Sequence, residues 1–161
     1  MLPYYHPVDF ITKEEIQHLE SLIPHGDFID YDTISGSRDG NLCWDNNIQE
    51  FNKFNLKSYT FFVHQPANTK VIAHTDNTKW KRNTVLIVPL LWHKNYAPCY
   101  FTDGAIVQMG TPYLFNTQLE HYINNNKHDR YNFQICFEEP IEEVAKCLTL
   151  ICMTHLFTAI L

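Results

Sequence analysis

Glycine is scarce in this chain, 5 among 161 residues. Loops that cradle phosphate groups need glycine so that the backbone can approach closely. Neither G-x-G-x-x-G nor G-x-x-x-x-G-K-[ST] occurs, which excludes nucleotide-binding loops of those kinds. Positive charge is also short: Lys and Arg total 12 against 18 Asp and Glu, a formal net charge of −6. Binding along duplex nucleic acid needs a basic face, so no such partner is expected. The cysteines (Cys43, Cys99, Cys136, Cys147, Cys152) are odd in number and form no C-x-x-C pair. That disfavours a disulfide scaffold and a zinc ribbon, and reduced thiols fit a cytoplasmic protein. The longest apolar stretch, 148–161, is broken by Thr149, Thr154, His155 and Thr158. It is shorter than the roughly 20 residues a spanning helix needs. The start, MLPYYHPVDF, has no basic region followed by an apolar run, so no signal peptide is expected, and no membrane is expected as a partner.

What is abundant is histidine, 9 residues, and aromatics, with 11 Phe, 9 Tyr and 3 Trp. The length suits one domain with a single core. Thr12 and Glu15 form a capping-box pattern, with Ile16, Leu19 and Leu22 following at helical spacing and Pro24 ending the run. One amphipathic helix is therefore expected over about 13–23. The segment 25–47 is polar and turn-rich. From residue 56 onward short apolar segments alternate with turn signals: SYTFFVHQP (58–66), TVLIVPLL (84–91), APCYF (97–101), AIVQM (105–109), PYLFN (112–116) and RYNFQICFE (130–138). No helical pattern separates them, so a sandwich or small barrel is expected rather than a parallel α/β sheet. The run 84–91 is apolar throughout, as for a strand buried on both faces. From Pro140 the pattern turns helical again. The expected organisation is a single domain over 1–161, with a helical N-terminal part to about 55, a core from about 56 to 139, and a helical tail over 140–161.

The segment 130–137 alternates. Arg130, Asn132, Gln134 and Cys136 share one face, and Tyr131, Phe133, Ile135 and Phe137 the other. The second face suits packing against helices. The first carries an Arg and two amides, as a pocket wall or an exposed sheet face would.

His74-Thr75-Asp76 is H-x-D, and in an extended segment residues i and i+2 lie on one side. His121 follows 47 residues on, and Arg130 nine residues later. A hairpin through 124–129 would place His121 and Arg130 on neighbouring strands. Two His and one carboxylate make the facial triad of non-haem Fe(II) oxygenases, which leaves metal positions open. A bidentate 2-oxo acid and O2 can take them, and the far carboxylate of the acid needs a fixed cation such as Arg130. His25-Gly26-Asp27 repeats the H-x-D pattern but lies in a loop before the strand-rich region, and is read as a chance match.

Over 59–138 the sequence resembles the Fe(II)/2-oxoglutarate-dependent oxygenases, through FFVHQP, AHTD, RNTVLIVPL, PYLFNTQLEHYINNN and RYNFQICF. It resembles in particular small members from phage and marine microbes, and is distantly similar to aspartyl/asparaginyl hydroxylases. The resemblance implies a mainly β (α+β) fold, a double-stranded β-helix or jelly roll. It implies that His74, Asp76 and His121 bind Fe(II) and that Arg130 holds 2-oxoglutarate. It further implies a dioxygenase that consumes O2 and releases succinate and CO2, usually with hydroxylation of a substrate. The Asp76 carboxylate speaks against halogenation, because halogenating relatives leave that metal position free. Where many relatives have Arg-x-Ser, this chain has Arg130-Tyr131-Asn132, so Asn132 is a candidate for the cosubstrate contact.

His64 shares a face with Thr60 and Phe62 and is a candidate hydrogen-bond partner for a cosubstrate carboxylate; a structural histidine is the alternative. Asn83, Tyr100 and Trp80 are lesser candidates for the pocket. Arg82 is read as a solvated strand end within KWKR, although an anion contact is open to it. His93 and His128 are read as solvated, Cys136 as a small core residue, and 34–44 as a candidate lid. The competing readings are a cupin-like zinc enzyme, in which Arg130 has no required role, and a non-catalytic jelly-roll binding module. The substrate, a small molecule or a protein or peptide, is not written in the sequence.

Overall fold

The computed structural model describes residues 4–23, 28–30, 42–45, 56, 58–76, 82–108, 110–124 and 127–158, with backbone only at 29–30, 42–45 and 150–158. His25, Asp27, Trp80 and most of the 34–44 loop lie outside these residues.

Strand β1 (Tyr5–Pro7) is followed by helix α1 (Lys13–Ser21). The helix begins where the capping box requires. The Thr12 side chain accepts from the Glu15 amide at 3.2 Å, and the Glu15 carboxylate accepts from the Thr12 amide at 2.9 Å. Two amides that helix geometry leaves without carbonyl partners are thus satisfied. Then come β2 (Ile29–Asp30), β3 (Leu42–Asp45), β4 (Ser58–Gln65), β5 (Val71–His74), β6 (Thr84–Leu90), β7 (Cys99–Phe101), β8 (Ile106–Val107), β9 (Tyr113–Asn116), β10 (His121–Ile123) and β11 (Arg130–Phe137). Helix α2 (Ile141–Thr158) closes the described chain. The stretch before residue 55 is thus not only helical: it contributes three strands to a sheet.

The strands form two antiparallel sheets, one of seven in the order β1-β9-β6-β11-β4-β3-β2, the other of four in the order β5-β10-β7-β8. Period-two alternation sorts the large sheet's side chains into two cores. Phe62, Leu86, Val88, Leu90, Leu114, Phe133, Ile135 and Phe137 face α1 and α2 and pack with Leu19, Ile141, Val144 and Leu148. Phe61, Val85, Ile87, Tyr113, Phe115 and Cys136 face the small sheet and pack with Phe101 and Val107. Every residue of β6 is buried, as expected of a strand covered on both faces. Burying each of the large side chains contributes roughly 1.5–3 kcal/mol. Pro89, within β6, lies past Ile87, the last residue paired with β9, so it interrupts no ladder on that side. The β7–β8 turn uses Gly104 at φ +97°, a conformation with little strain only for glycine.

The segment 124–129 does not turn a hairpin. β10 pairs with β5 and β7 in the small sheet, whereas β11 pairs with β4 and β6 in the large one. The chain crosses between sheets there, so His121 and Arg130 face each other across the sandwich rather than along one ladder. Their common destination is the space between the sheets. Among the described residues, no helix is long and apolar enough to cross a membrane.

Candidate metal centre

A cavity of about 700 Å³, counting the open volume at its mouth, lies between the two sheets. His74 ends β5 and His121 begins β10, directly opposite in the ladder, with ring centroids 4.5 Å apart. Asp76 follows two residues after His74. Its amide donates to the Thr117 carbonyl at 3.0 Å, which ties the H-x-D turn to the chain just before His121. One ligating atom from each of His74, Asp76 and His121 falls within 4.8 Å of the others. His121 and Asp76 are buried and His74 is half-buried.

The hydrogen bonds of the imidazoles set their tautomers. His74 Nδ1 lies 2.7 Å from the Ile72 carbonyl, and His121 Nδ1 lies 2.8 Å from the Leu119 carbonyl. A carbonyl only accepts, so each Nδ1 donates, and Nε2 is then the ring atom of each that can coordinate a metal. His74 Nε2 sits 3.4 Å from Asp76 Oδ1. Two imidazoles held at Nδ1 by outer hydrogen bonds, beside a carboxylate, are a donor set suited to a divalent cation.

Arg130, Asn132 and Gln134 line the same cavity. Arg130 is only 7% exposed, and its Nε and Nη1 groups have no partner. It does bond the Tyr113 hydroxyl, and burial pushes that phenol up to about 12 against the opposing pull of the Arg130 charge. A buried guanidinium with unmet donors is costly unless an anion completes it. The site therefore fits an acid whose carboxylate reaches Arg130. Gln65, 2% exposed, stands opposite Arg130 in the ladder and leaves Nε2 unpartnered. Asn132 leaves Oδ1 unpartnered. Cys99 also lines the cavity, and burial pushes its thiol up to about 12, so without a metal it is a neutral thiol at neutral pH.

No protein-family model matches the chain, and no curated protein sequence matches it. Solved structures do. An oxidoreductase of the 2OG-Fe(II) oxygenase family from Burkholderia pseudomallei superposes with a TM-score of 0.60 at 6% identity, covering 83% of this chain and 84% of that one. HygX from Streptomyces hygroscopicus, solved with nickel, 2-oxoglutarate and hygromycin B, gives 0.57 at 9% identity over 86% and 83% of the two chains. A prolyl-4-hydroxylase from Pseudomonas putida gives 0.55 at 12% identity over 83% and 91%. The chain has the fold of the 2-oxoglutarate/Fe(II) oxygenases.

Within that jelly roll, several residues fall elsewhere than the sequence suggested. His64 does not face the cavity. On β4 the cavity side is Phe61, Val63 and Gln65, while His64 stacks on Tyr131 at 4.4 Å and bonds Asp129 at 3.1 Å. His64 is therefore a structural histidine and not a cosubstrate contact. Asp129 is its partner and not that of Arg130, and this bond together with the Ala67 amide holds the carboxyl below its usual range. Each face of β4 mixes polar and apolar residues, Ser58, Thr60, Phe62 and His64 on one and Tyr59, Phe61, Val63 and Gln65 on the other, and both end in a polar side chain, so alternation alone did not tell which of His64 and Gln65 was inward. Tyr100 points outward and stacks on Tyr122, and Asn83 stitches the sheet end by bonding the Glu138 carbonyl. His93 and His128 pack on each other at 4.1 Å and are half-buried rather than fully solvated.

Arg82 is the largest reversal. It is 4% exposed, lines the cavity, donates to Gln134 Oε1 at 2.7 Å and lies 3.3 Å from Asp76 Oδ2. Its charged neighbours in KWKR hid a residue that turns inward at the start of β6. Gln65 and Tyr113 were also missed; cross-strand register with Arg130 identifies the first, and only the folded sandwich identifies the second.

Proposed function

We propose that this chain is an Fe(II)- and 2-oxoglutarate-dependent dioxygenase that hydroxylates its substrate and releases succinate and CO2. The observation that carries this reading is the meeting, in one cavity, of a His74–Asp76–His121 cluster and a buried guanidinium with unmet donors. A metal alone explains the cluster but leaves Arg130 costly; a bound acid alone leaves three convergent ligands without purpose.

His74 and His121 would hold the metal through Nε2, and Asp76 through its carboxylate. Bound iron would supply the coupling of O2 reduction to decarboxylation of the 2-oxo acid and oxidation of a substrate C–H bond. The chain's own part is binding and orientation. Arg130 would anchor the distal carboxylate of 2-oxoglutarate, with Tyr113 fixing the guanidinium and Gln65 and Asn132 beside it. Phe61, Val85, Ile87 and Phe115 wall the cavity with apolar surface and limit water. That dry wall strengthens the charge pairing at Arg130. The substrate is a small molecule or a side chain of a protein or peptide, in keeping with a net charge of −6 that disfavours duplex nucleic acid.

Anaerobic titration with Fe(II) and then 2-oxoglutarate tests this. The visible charge-transfer band of a chelated 2-oxo acid is expected in the natural chain and absent in His121→Ala. His74→Ala and Asp76→Ala should each abolish 2-oxoglutarate turnover while the far-ultraviolet dichroism stays unchanged. Absence of the band in folded, metal-loaded protein would refute the reading, and zinc-supported activity without 2-oxoglutarate binding would favour the zinc alternative.

A further inference from the structure

The two oxygens of Asp76 have different neighbours. Oδ1 faces the histidines, 3.4 Å from His74 Nε2. Oδ2 lies 3.3 Å from Arg82 Nη2. Arg82 is itself held from several sides. Nη2 donates to Gln134 Oε1 at 2.7 Å, and the guanidinium carbon stands 5.0 Å from the centre of the Phe61 ring. Its backbone carbonyl accepts from the Thr117 hydroxyl and from Gln118 Nε2 at 3.3 Å. Gln118 also reaches the Asp76 carbonyl at 3.5 Å, and Thr117 accepts the Asp76 amide. The Arg82 backbone and the Asp76 backbone are thus tied to the same two residues, which fixes the spacing of the two side-chain roots, while Gln134 and Phe61 hold the guanidinium itself.

We propose that Arg82 is a positioning residue that occupies the second oxygen of Asp76 and so confines this carboxylate to one-oxygen binding of the metal. This deepens the oxygenase reading and rests on it. A carboxylate left alone can chelate a metal through both oxygens. With two histidines, a chelating Asp76 would fill a fourth position of an octahedral ion. A bidentate 2-oxo acid and O2 need three open positions, which only the one-oxygen mode leaves. The guanidinium competes for Oδ2 through an ion pair in a buried setting, where charge pairing is stronger than in water. Its permanent charge and planar donors suit this better than the single point charge of lysine.

The test pairs Arg82→Met with Arg82→Lys in the full chain, using Mn(II) affinity, 2-oxoglutarate affinity of the Mn(II)-loaded protein, and thermal stability. Arg82→Met should bind Mn(II) as tightly as the natural chain but bind 2-oxoglutarate at least ~10-fold more weakly. Arg82→Lys should recover part of that loss. A folded Arg82→Met that binds both ligands normally overturns the proposal. So does one that loses Mn(II), since Arg82 would then be holding Asp76 in place rather than limiting its mode. Metal-induced infrared difference spectra of the natural chain need no variant. A wide splitting between the antisymmetric and symmetric carboxylate stretches is expected, and a narrow, chelate-type splitting overturns the proposal even if Arg82→Met fails to fold. If the natural chain binds Mn(II) but never 2-oxoglutarate, the oxygenase reading falls, and the infrared splitting still decides the mode of Asp76.

Discussion

Replacing Arg130 by Met should weaken the cosubstrate and strengthen the empty protein at once. Arg130 is 7% exposed, and two of its N–H groups lack partners. Buried donors without partners destabilise by about 1–3 kcal/mol. Methionine keeps much of the stem's packing and removes the charge. Against this gain stands the lost bond to the Tyr113 hydroxyl, worth about 1 kcal/mol. The net expectation for ligand-free protein is a gain of about 1 kcal/mol, or a Tm higher by about 2–4 °C for a chain of this size. Binding moves the other way. Charge-assisted hydrogen bonds contribute about 1.5–3 kcal/mol each, so losing a guanidinium–carboxylate pairing should raise the 2-oxoglutarate Kd by about two to three powers of ten. Differential scanning of metal-free protein gives the first quantity, and titration of Mn(II)-loaded protein gives the second. A Tm several degrees lower, or an unchanged Kd, would refute the role of Arg130 as the anchor of an acid.

Gln65→Leu should raise the 2-oxoglutarate Kd by about tenfold, one neutral donor's worth, while Mn(II) affinity holds, as titration of the two ligands in turn would show. Stability should fall on the alkaline side. Burial raises Cys99 and Tyr113 to about 12 and Cys136 to about 11, so the unfolded chain loses those protons first. The contribution is full below the unfolded thiol value near 9 and fades as pH rises toward the folded values, by about 1.4 kcal/mol per thiol per pH unit. Urea midpoints from pH 8 to 10.5 check this, and Cys136→Ala should flatten the slope. Thr12→Ala should lower stability by about 0.5–2 kcal/mol through loss of the capping box, read from the same urea curves, with no change in 2-oxoglutarate binding.

Local chemistry explains what was legible before folding. The Thr12–Glu15 box and the heptad-like spacing of Ile16 and Leu19 act within one turn of chain, so α1 starts where they say. Alternation in 130–137 is a property of the extended backbone, and it separated Arg130, Asn132 and Gln134 from Phe133, Ile135 and Phe137 as observed. The pairing of His74 with Asp76 is likewise an i, i+2 relation. Strand partnership, by contrast, depends on where the chain crosses between sheets, and no short window of residues encodes that. Hence 124–129 reads as a hairpin but joins two sheets. Hence also His64 was placed inward although Gln65 is the inward residue, for each face of β4 mixes polar and apolar residues and only the neighbouring strands and helices decide the side. Arg82 looked solvated because its sequence neighbours are charged; its burial comes from Gln134, 52 positions away, and Asp76, on the far side of the 77–81 segment. The types of residue a metal and an acid would need are a matter of composition and spacing. Which of them share one cavity, and in which orientation, is settled by long-range packing of two sheets.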